Sequence, residues 1–153
     1  VMGILLIVAF VVSGWAYWGA DATSHKLSFS INDTCDLHLG PCEAIAEGGE
    51  KLEFSISPKD IPLLKPLKVL VKLKWFRAKS VGVVFTGVDV DMGELTYPLR
   101  SSDGVVFEGE ASLSVCSSRR MTWQASLLIE TDGSQVTVPF NFDTEYRSSF
   151  KLI

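Results

Sequence analysis

Two histidines, three cysteines and three methionines are all the imidazole and sulfur in this 153-residue chain. That scarcity excludes much chemistry at once. His25 and His38 both fall in the first quarter of the chain, so no Ser-His-Asp or Cys-His arrangement is spelled out. A general base would have to come from His38 alone, and His25 reads as a tether residue. No glycine-rich phosphate loop and no zinc-type cysteine pair occurs. Asp89, Asp91 and Glu94 have the acidity of a calcium loop without its spacing, because the glycine comes one position early and no Glu closes a twelve-residue loop. The expectation is a protein that is not an enzyme and has no catalytic residues.

Charge is lacking too, and in one place entirely. "VMGILLIVAFVVSGWAYWGA", residues 1–20, contains no charged side chain. Roughly 20 apolar residues at about 1.5 Å each cross a hydrocarbon core of about 30 Å. Trp15, Tyr17 and Trp18 gather at one end of the run, where amphipathic rings suit the headgroup layer. The segment reads as a transmembrane anchor, with residues 21–26 as a short tether. A cleavable signal peptide competes, since Ala20-Asp21-Ala22 supplies a small-x-small site. An uncleaved signal-anchor leaves the larger C-terminal part outside the cytoplasm. That makes the C-terminal domain periplasmic or extracellular, and the expectation is a single-pass protein of a bacterial inner membrane with a periplasmic domain.

Beyond Ala20 the hydrophobic period becomes two. In "KLEFSIS" Leu52, Phe54 and Ile56 alternate with Lys51, Glu53 and Ser55. "FEGEASLS", "WQASLLI" and "VTVPFNF" repeat the alternation, the mark of strands with one buried and one wet face. About eight strands are expected, over Leu27–Ile31, Leu52–Ser57, Leu67–Trp75, Val81–Val88, Leu95–Leu99, Val105–Ser114, Met121–Glu130 and Gln135–Phe142. Gly48-Gly49, Asp103-Gly104 and Asp132-Gly133 punctuate them, and Asp-Gly between alternating runs is a hairpin cue. Pro62, Pro66, Pro98 and Pro139 must then sit at strand ends or on edge strands. This spacing predicts an all-β fold, an immunoglobulin-like antiparallel β-sandwich over 27–144 with a tail at 145–153; a small closed barrel is the alternative.

Lys65, Lys68, Lys72, Lys74, Arg77 and Lys79 make a basic run, but the whole chain has net charge −4. A solvated strand face accounts for that run better than nucleic acid does; a blunted sheet edge or anionic headgroups are the other uses. Cys35 and Cys42 bracket "DLHLGP", with a turn at Gly40-Pro41. In an oxidising compartment they are candidates for a disulfide that leaves Cys116 free, although Cys116 pairing with either one is also open. A free thiol makes the methionines of interest. Thiolate and thioether suit Cu(I), and Cys116 and Met121 lie five apart around "CSSRRM". With Met92 from "GVDVDMGELTYPL", and His38 or Cys42 as further donors, they form a candidate Cu(I) set. The competing role for Met92 and Met121 is packing.

From Leu67 to Phe142 the order of a strand pair, "DVDMG", "FEGEASL", "MTWQASLLIETDG" and "VTVPF" resembles the YtkA-like and FixH-like domains. The resemblance implies a membrane-anchored, immunoglobulin-like exported module, of a kind associated in part with assembly of haem–copper oxidases or with copper handling near them. Such domains often carry a second Met or a His beside the Met-Gly turn, and "DVDMGELTYP" has neither. The expected function is therefore a non-enzymatic accessory or assembly protein acting in the periplasm on a respiratory membrane complex. Cu(I) contact through Met92, Cys116 and Met121 is a secondary expectation. The alternative is a purely structural subunit of a larger membrane complex, with Gly3, Gly14 and Gly19 at close helix contacts.

Overall fold

The computed structural model describes residues 27–115 and 118–146, and among them it contains strands and no helix. The transmembrane reading of residues 1–20, the tether at 21–26, Cys116 and most of the tail lie outside the described residues. Nine strands are present: β1 (Phe29–Ile31), β2 (Cys42–Ala46), β3 (Lys51–Ser57), β4 (Leu67–Lys74), β5 (Ser80–Gly87), β6 (Glu94–Leu99), β7 (Val106–Ala111), β8 (Arg120–Glu130) and β9 (Gln135–Glu145). They form two antiparallel sheets, one in the order β1-β2-β3-β4-β7 and the other β6-β5-β8-β9.

The period-two pattern decides which faces meet. Leu52, Phe54 and Ile56 of β3 and Leu67, Val69, Val71 and Leu73 of β4 are buried from one sheet. Val81, Val83 and Phe85, the β8 series from Met121 to Ile129, and Val136 to Phe142 on β9 are buried from the other. Phe54 and Phe140 meet across the gap with ring centroids 5.1 Å apart. Trp123, the largest fully buried side chain, donates its indole N–H to Thr144 Oγ1 at 3.0 Å, which satisfies the one polar atom that its burial would otherwise strand. Each such large side chain contributes about 1.5–3 kcal/mol of burial.

Several sequence expectations need correction. A strand was not expected at Cys42–Ala46, yet β2 pairs with both β1 and β3 and buries Cys42, Ala44 and Ala46. Its small side chains carry too little apolar bulk to show as an alternating run. Asp103-Gly104 does not close a hairpin, because β6 and β7 belong to different sheets joined only by the Arg100–Glu108 bridge among described pairings. Gly104 has φ +71 there, and Asp103 accepts the Val105 and Val106 amides, so the pair builds a crossover corner. β9 runs three residues past Phe142, to Glu145, because Thr144 still faces the core against Trp123. Pro98 and Pro139 do lie on the edge strands β6 and β9.

This topology sorts every loop to one of two ends. Residue 27, the β2–β3 turn, the β4–β5 corner at 75–79, the 100–105 crossover and the β8–β9 turn share what we call the entry end. The loops 32–41, 58–66, 88–93 and 112–119, with the end of β9, share the opposite, groove end.

Candidate functional site at the groove end

Four loops of irregular sequence converge at the groove end and are tied to one another by polar contacts. The 32–41 loop is closed by a disulfide between Cys35 and Cys42, with Cα atoms 5.7 Å apart. Its His38 is the central tie. The ring Nδ1 lies 2.7 Å from the Lys59 carbonyl oxygen, and Nε2 lies 2.6 Å from that of Asp143. Both partners are acceptors, so a ring carrying a proton on each nitrogen donates to both, while a neutral ring donates to one. His38 thus fastens its loop to the 58–66 loop and to β9, and both of its nitrogens are occupied in doing so. Lys59 Nζ donates back to the Leu39 carbonyl at 3.1 Å.

The 58–66 segment, "PKDIPLLKP", is held in a costly backbone. Ile61 has φ 41 and Leu64 has φ 58, in a region that side chains, β-branched ones above all, seldom enter. Ile61 is buried and the Leu64 amide donates to the Leu113 carbonyl at 2.9 Å, so tertiary contacts hold the strain in place. Between this segment, the disulfide loop and the β8–β9 edge runs an open groove of about 990 Å³. Its charges are mixed: Asp36, Asp60 and Asp143 face Lys65 and Arg120, with His38 among them. Arg120 Nη2 donates to Asp143 Oδ2 at 2.8 Å, and that guanidinium holds the Asp143 carboxyl below its ordinary value. Such a groove suits a polar, hydrogen-bonding ligand surface rather than an apolar small molecule.

The acids and methionine of "GVDVDMG" have specific local duties. Asp89 Oδ2 accepts the Thr122 amide at 2.8 Å, and Asp91 Oδ1 accepts the Gly93 amide at 3.0 Å, where Gly93 has φ +78. Both carboxylates are loop caps that fix the β5–β6 turn to the start of β8. Met92 is partly buried against the core, and Met121 is buried. A Cβ at Gly87 would collide with Met121 Cε and with the Val90 carbonyl oxygen, so the Met121 methyl occupies the space that glycine leaves. Met92 and Met121 therefore share the groove end, each with a packing role; Cys116 lies outside the described residues. Among the described residues no group of three or more His, Cys, Asp or Glu side chains is arranged to hold a metal ion.

The basic run is a solvated strand face in the form the sequence suggested. Lys68, Lys72 and Lys74 point outward from β4 and pair with Glu108 of β7, Glu53 of β3 and, one strand further on, Glu43 of β2 at 3.5–3.8 Å. The residues that sequence reasoning missed are the loop ties, namely His38 with Lys59 and Asp143. The prolines spaced four apart in "PKDIPLLKP" mark the segment as non-strand, but they say nothing of its partner.

No protein-family model and no curated protein matches this chain. A crystal structure of an engineered protein, determined at 1.98 Å, aligns over 61% of this chain with 19% identity and a TM-score of 0.41. The alignment spans only 20% of that protein's length, and a likeness this slight carries no inference about fold or activity.

Proposed function

We propose that the chain is a membrane-anchored, exported module of the accessory or assembly class, whose β-sandwich works on a membrane-protein partner outside the cytoplasm. The single observation that carries this reading is the join between the uncharged residues 1–20 and the domain. Residue 27 enters the sandwich after only six tether residues, and the first loop that follows is closed by the Cys35–Cys42 disulfide. A disulfide of this kind persists in oxidising compartments such as the periplasm. The pairings β4–β7 and β5–β8, with chain crossings between the sheets at 75–79 and 100–105, suit an immunoglobulin-like sandwich. The groove end, with its tied loops and mixed charge, is the surface such a module would offer a protein partner.

A respiratory complex of the haem–copper oxidase type is the partner named first, on the resemblance of residues 67–142. Gentle solubilisation of the full chain and identification of co-purifying subunits tests the reading. Co-purification with integral membrane subunits is expected, and a monodisperse lone protein would sink it. Cu(I) contact is a subordinate part of the proposal and demands more of the chain. The sulfurs of Met92, Cys116 and Met121, the last with its methyl packed over Gly87, would have to converge on one ion. Cu(I) titration with Met92→Leu and Cys116→Ser controls decides it, since binding indifferent to both substitutions removes copper from the reading.

A further inference from the structure

At the β4–β5 corner the fold holds a tryptophan out in water on a strained backbone. The corner alternates: Phe76 packs against the core and meets the Phe29 ring at 5.8 Å, and Ala78 is buried with its amide donating to the Gly104 carbonyl at 3.0 Å. Trp75 and Arg77 point the other way. Trp75 is 84% exposed, and its φ is 73. An L-residue in that region gives up about 1–2 kcal/mol, and a bare indole in water forgoes its burial as well. Neither cost supports the core, which Phe76 and Ala78 already serve. An exposed aromatic on a strained corner marks a contact whose other side is missing from the isolated domain.

Where the corner stands identifies that other side. Leu27 and Phe29, the first described residues, pack at the same end, with Phe29 against Phe76 itself. The chain therefore enters the domain at the same end as Trp75, with Phe29 on the residue next to it. The six residues 21–26 span at most about 20 Å when fully extended, so the end of the uncharged run 1–20 cannot be far from this corner. We infer that Trp75 is a second, interfacial contact of the domain with the lipid surface, its indole lying in the headgroup layer next to the anchor. This inference rests on the anchored reading of residues 1–20. Tryptophan suits that layer because its ring is apolar and its N–H finds a polar partner there.

Charge has a smaller part in the contact. Lys74 is paired with Glu43 and Glu53, and Lys79 with Asp132, so the basic residues flanking Trp75 are largely balanced. Arg77 adds one outward guanidinium at the corner. The contact should then persist on a zwitterionic bilayer, unlike one drawn by a polybasic patch, which needs anionic lipid. Its structural consequence is orientation. Two points of attachment at one end turn the groove end, with His38 and the 58–66 loop, away from the membrane and toward an extrinsic partner.

The test uses the full chain in phosphatidylcholine nanodiscs doped with a headgroup gadolinium-chelate lipid, read by amide relaxation. Amides of 75–79, Gly48 and Gly133 should relax several-fold faster than those of His38, Asp60 and Leu63. Trp75→Ala should cut that contrast by at least half, and Trp75→Tyr, another interfacial side chain, should keep most of it. Because Trp75 is exposed, neither variant threatens the core. Equal relaxation at both ends, or a contrast indifferent to Trp75→Ala, would overturn the inference while leaving the anchor intact; that would be the result if residues 1–26 or a protein covered the ring. A chain that fails to enter the nanodisc at all overturns the anchored reading and this inference with it.

Discussion

The two ends of the sandwich are built on opposite terms. At the groove end, irregular loops are tied to one another by a disulfide, by His38 between two carbonyls, and by the Arg120–Asp143 pair. Strain there is held at Ile61 by burial and at Leu64, whose side chain is exposed, by the amide bond to the Leu113 carbonyl. The entry end is made of short turns tied mostly within themselves, by Ser101 and Asp103 and by Thr131 and Ser134, yet its corner displays Trp75, 84% exposed, in a strained conformation. One end uses many weak connections to hold a surface in shape. The other presents Trp75, the most exposed of the large apolar side chains among the described residues. The difference teaches that exposure and strain mean different things according to what surrounds them: strain held by burial or by a hydrogen bond to a neighbouring loop shapes that loop, and strain under an exposed aromatic ring points outward to a partner.

Breaking the ties should therefore loosen the groove end and spare the entry end. The largest effect belongs to the disulfide. Closing an eight-residue loop removes unfolded-state entropy worth about 2.5 kcal/mol. Cys35→Ser with Cys42→Ser, or reduction of the native chain, should cost about that much in denaturant unfolding. Hydrogen exchange should rise in 32–41 and 58–66 well before 75–79. Uniform acceleration across both ends would mean that the loop is not a separate unit.

His38→Ala comes next. It removes one hydrogen bond from a neutral ring or two from a doubly protonated one, at about 1 kcal/mol each, so a loss of about 1–2 kcal/mol is expected. Amides around Lys59 and Asp143 should lose protection while Phe76 and Ala78 keep theirs. At the entry end the sign reverses. Trp75→Gly relieves a positive φ worth about 1–2 kcal/mol and adds glycine's unfolded-state entropy, about 0.5–1 kcal/mol. A small gain, about 0.5–1 kcal/mol in the isolated domain, is the expected outcome. A loss of 1 kcal/mol or more would show that the ring is held by contacts after all, and would erase the contrast between the ends.

Alternation made the sheets legible in the sequence and left the ends obscure. Leu52, Phe54 and Ile56, or Val136, Val138 and Phe140, announce a buried face because a strand's side chains repeat every two residues. β2 escaped notice because "CEAIA" buries a cysteine and two alanines, which carry little apolar weight. Loops have no period. The meeting of His38 with residues 21 and 105 positions away depends on how the sheets bring the chain back, and nothing local encodes it. Trp75 looked like the last residue of a strand, since aromatic residues favour strands and only the backbone angle shows that the strand has already ended. For Asp89 and Asp91 the sequence shows that calcium-loop spacing is missing, but not that they accept the Thr122 and Gly93 amides.

The smallest expected effect sharpens the same comparison through pH. Arg120 holds Asp143 below the ordinary carboxylate value of 3.8, helped by Thr122 and by the charge of His38, against a small opposing desolvation. A carboxyl whose folded value is depressed adds stability that is fully present above the unfolded value and disappears as pH falls through the folded one. The window is therefore acidic, from about pH 5 downward. The pair is solvent-exposed, with 44% of the Asp143 side chain accessible, so its worth is discounted to about 0.5 kcal/mol. Asp103 at the entry end is also depressed, first by the Val106 and Val105 amides it accepts. Comparing pH 6 with pH 2.5 in the native chain and in Asp143→Asn separates the two. Asn keeps an acceptor for Arg120 but cannot titrate, so the variant should lose about 0.5 kcal/mol less on acidification. That saving should shrink in 0.5 M salt and appear as retained protection along Arg120–Thr122 and Asp143. An identical acid loss in both proteins would show that the Arg120–Asp143 pair does not brace the groove end, leaving its stability to the disulfide and His38.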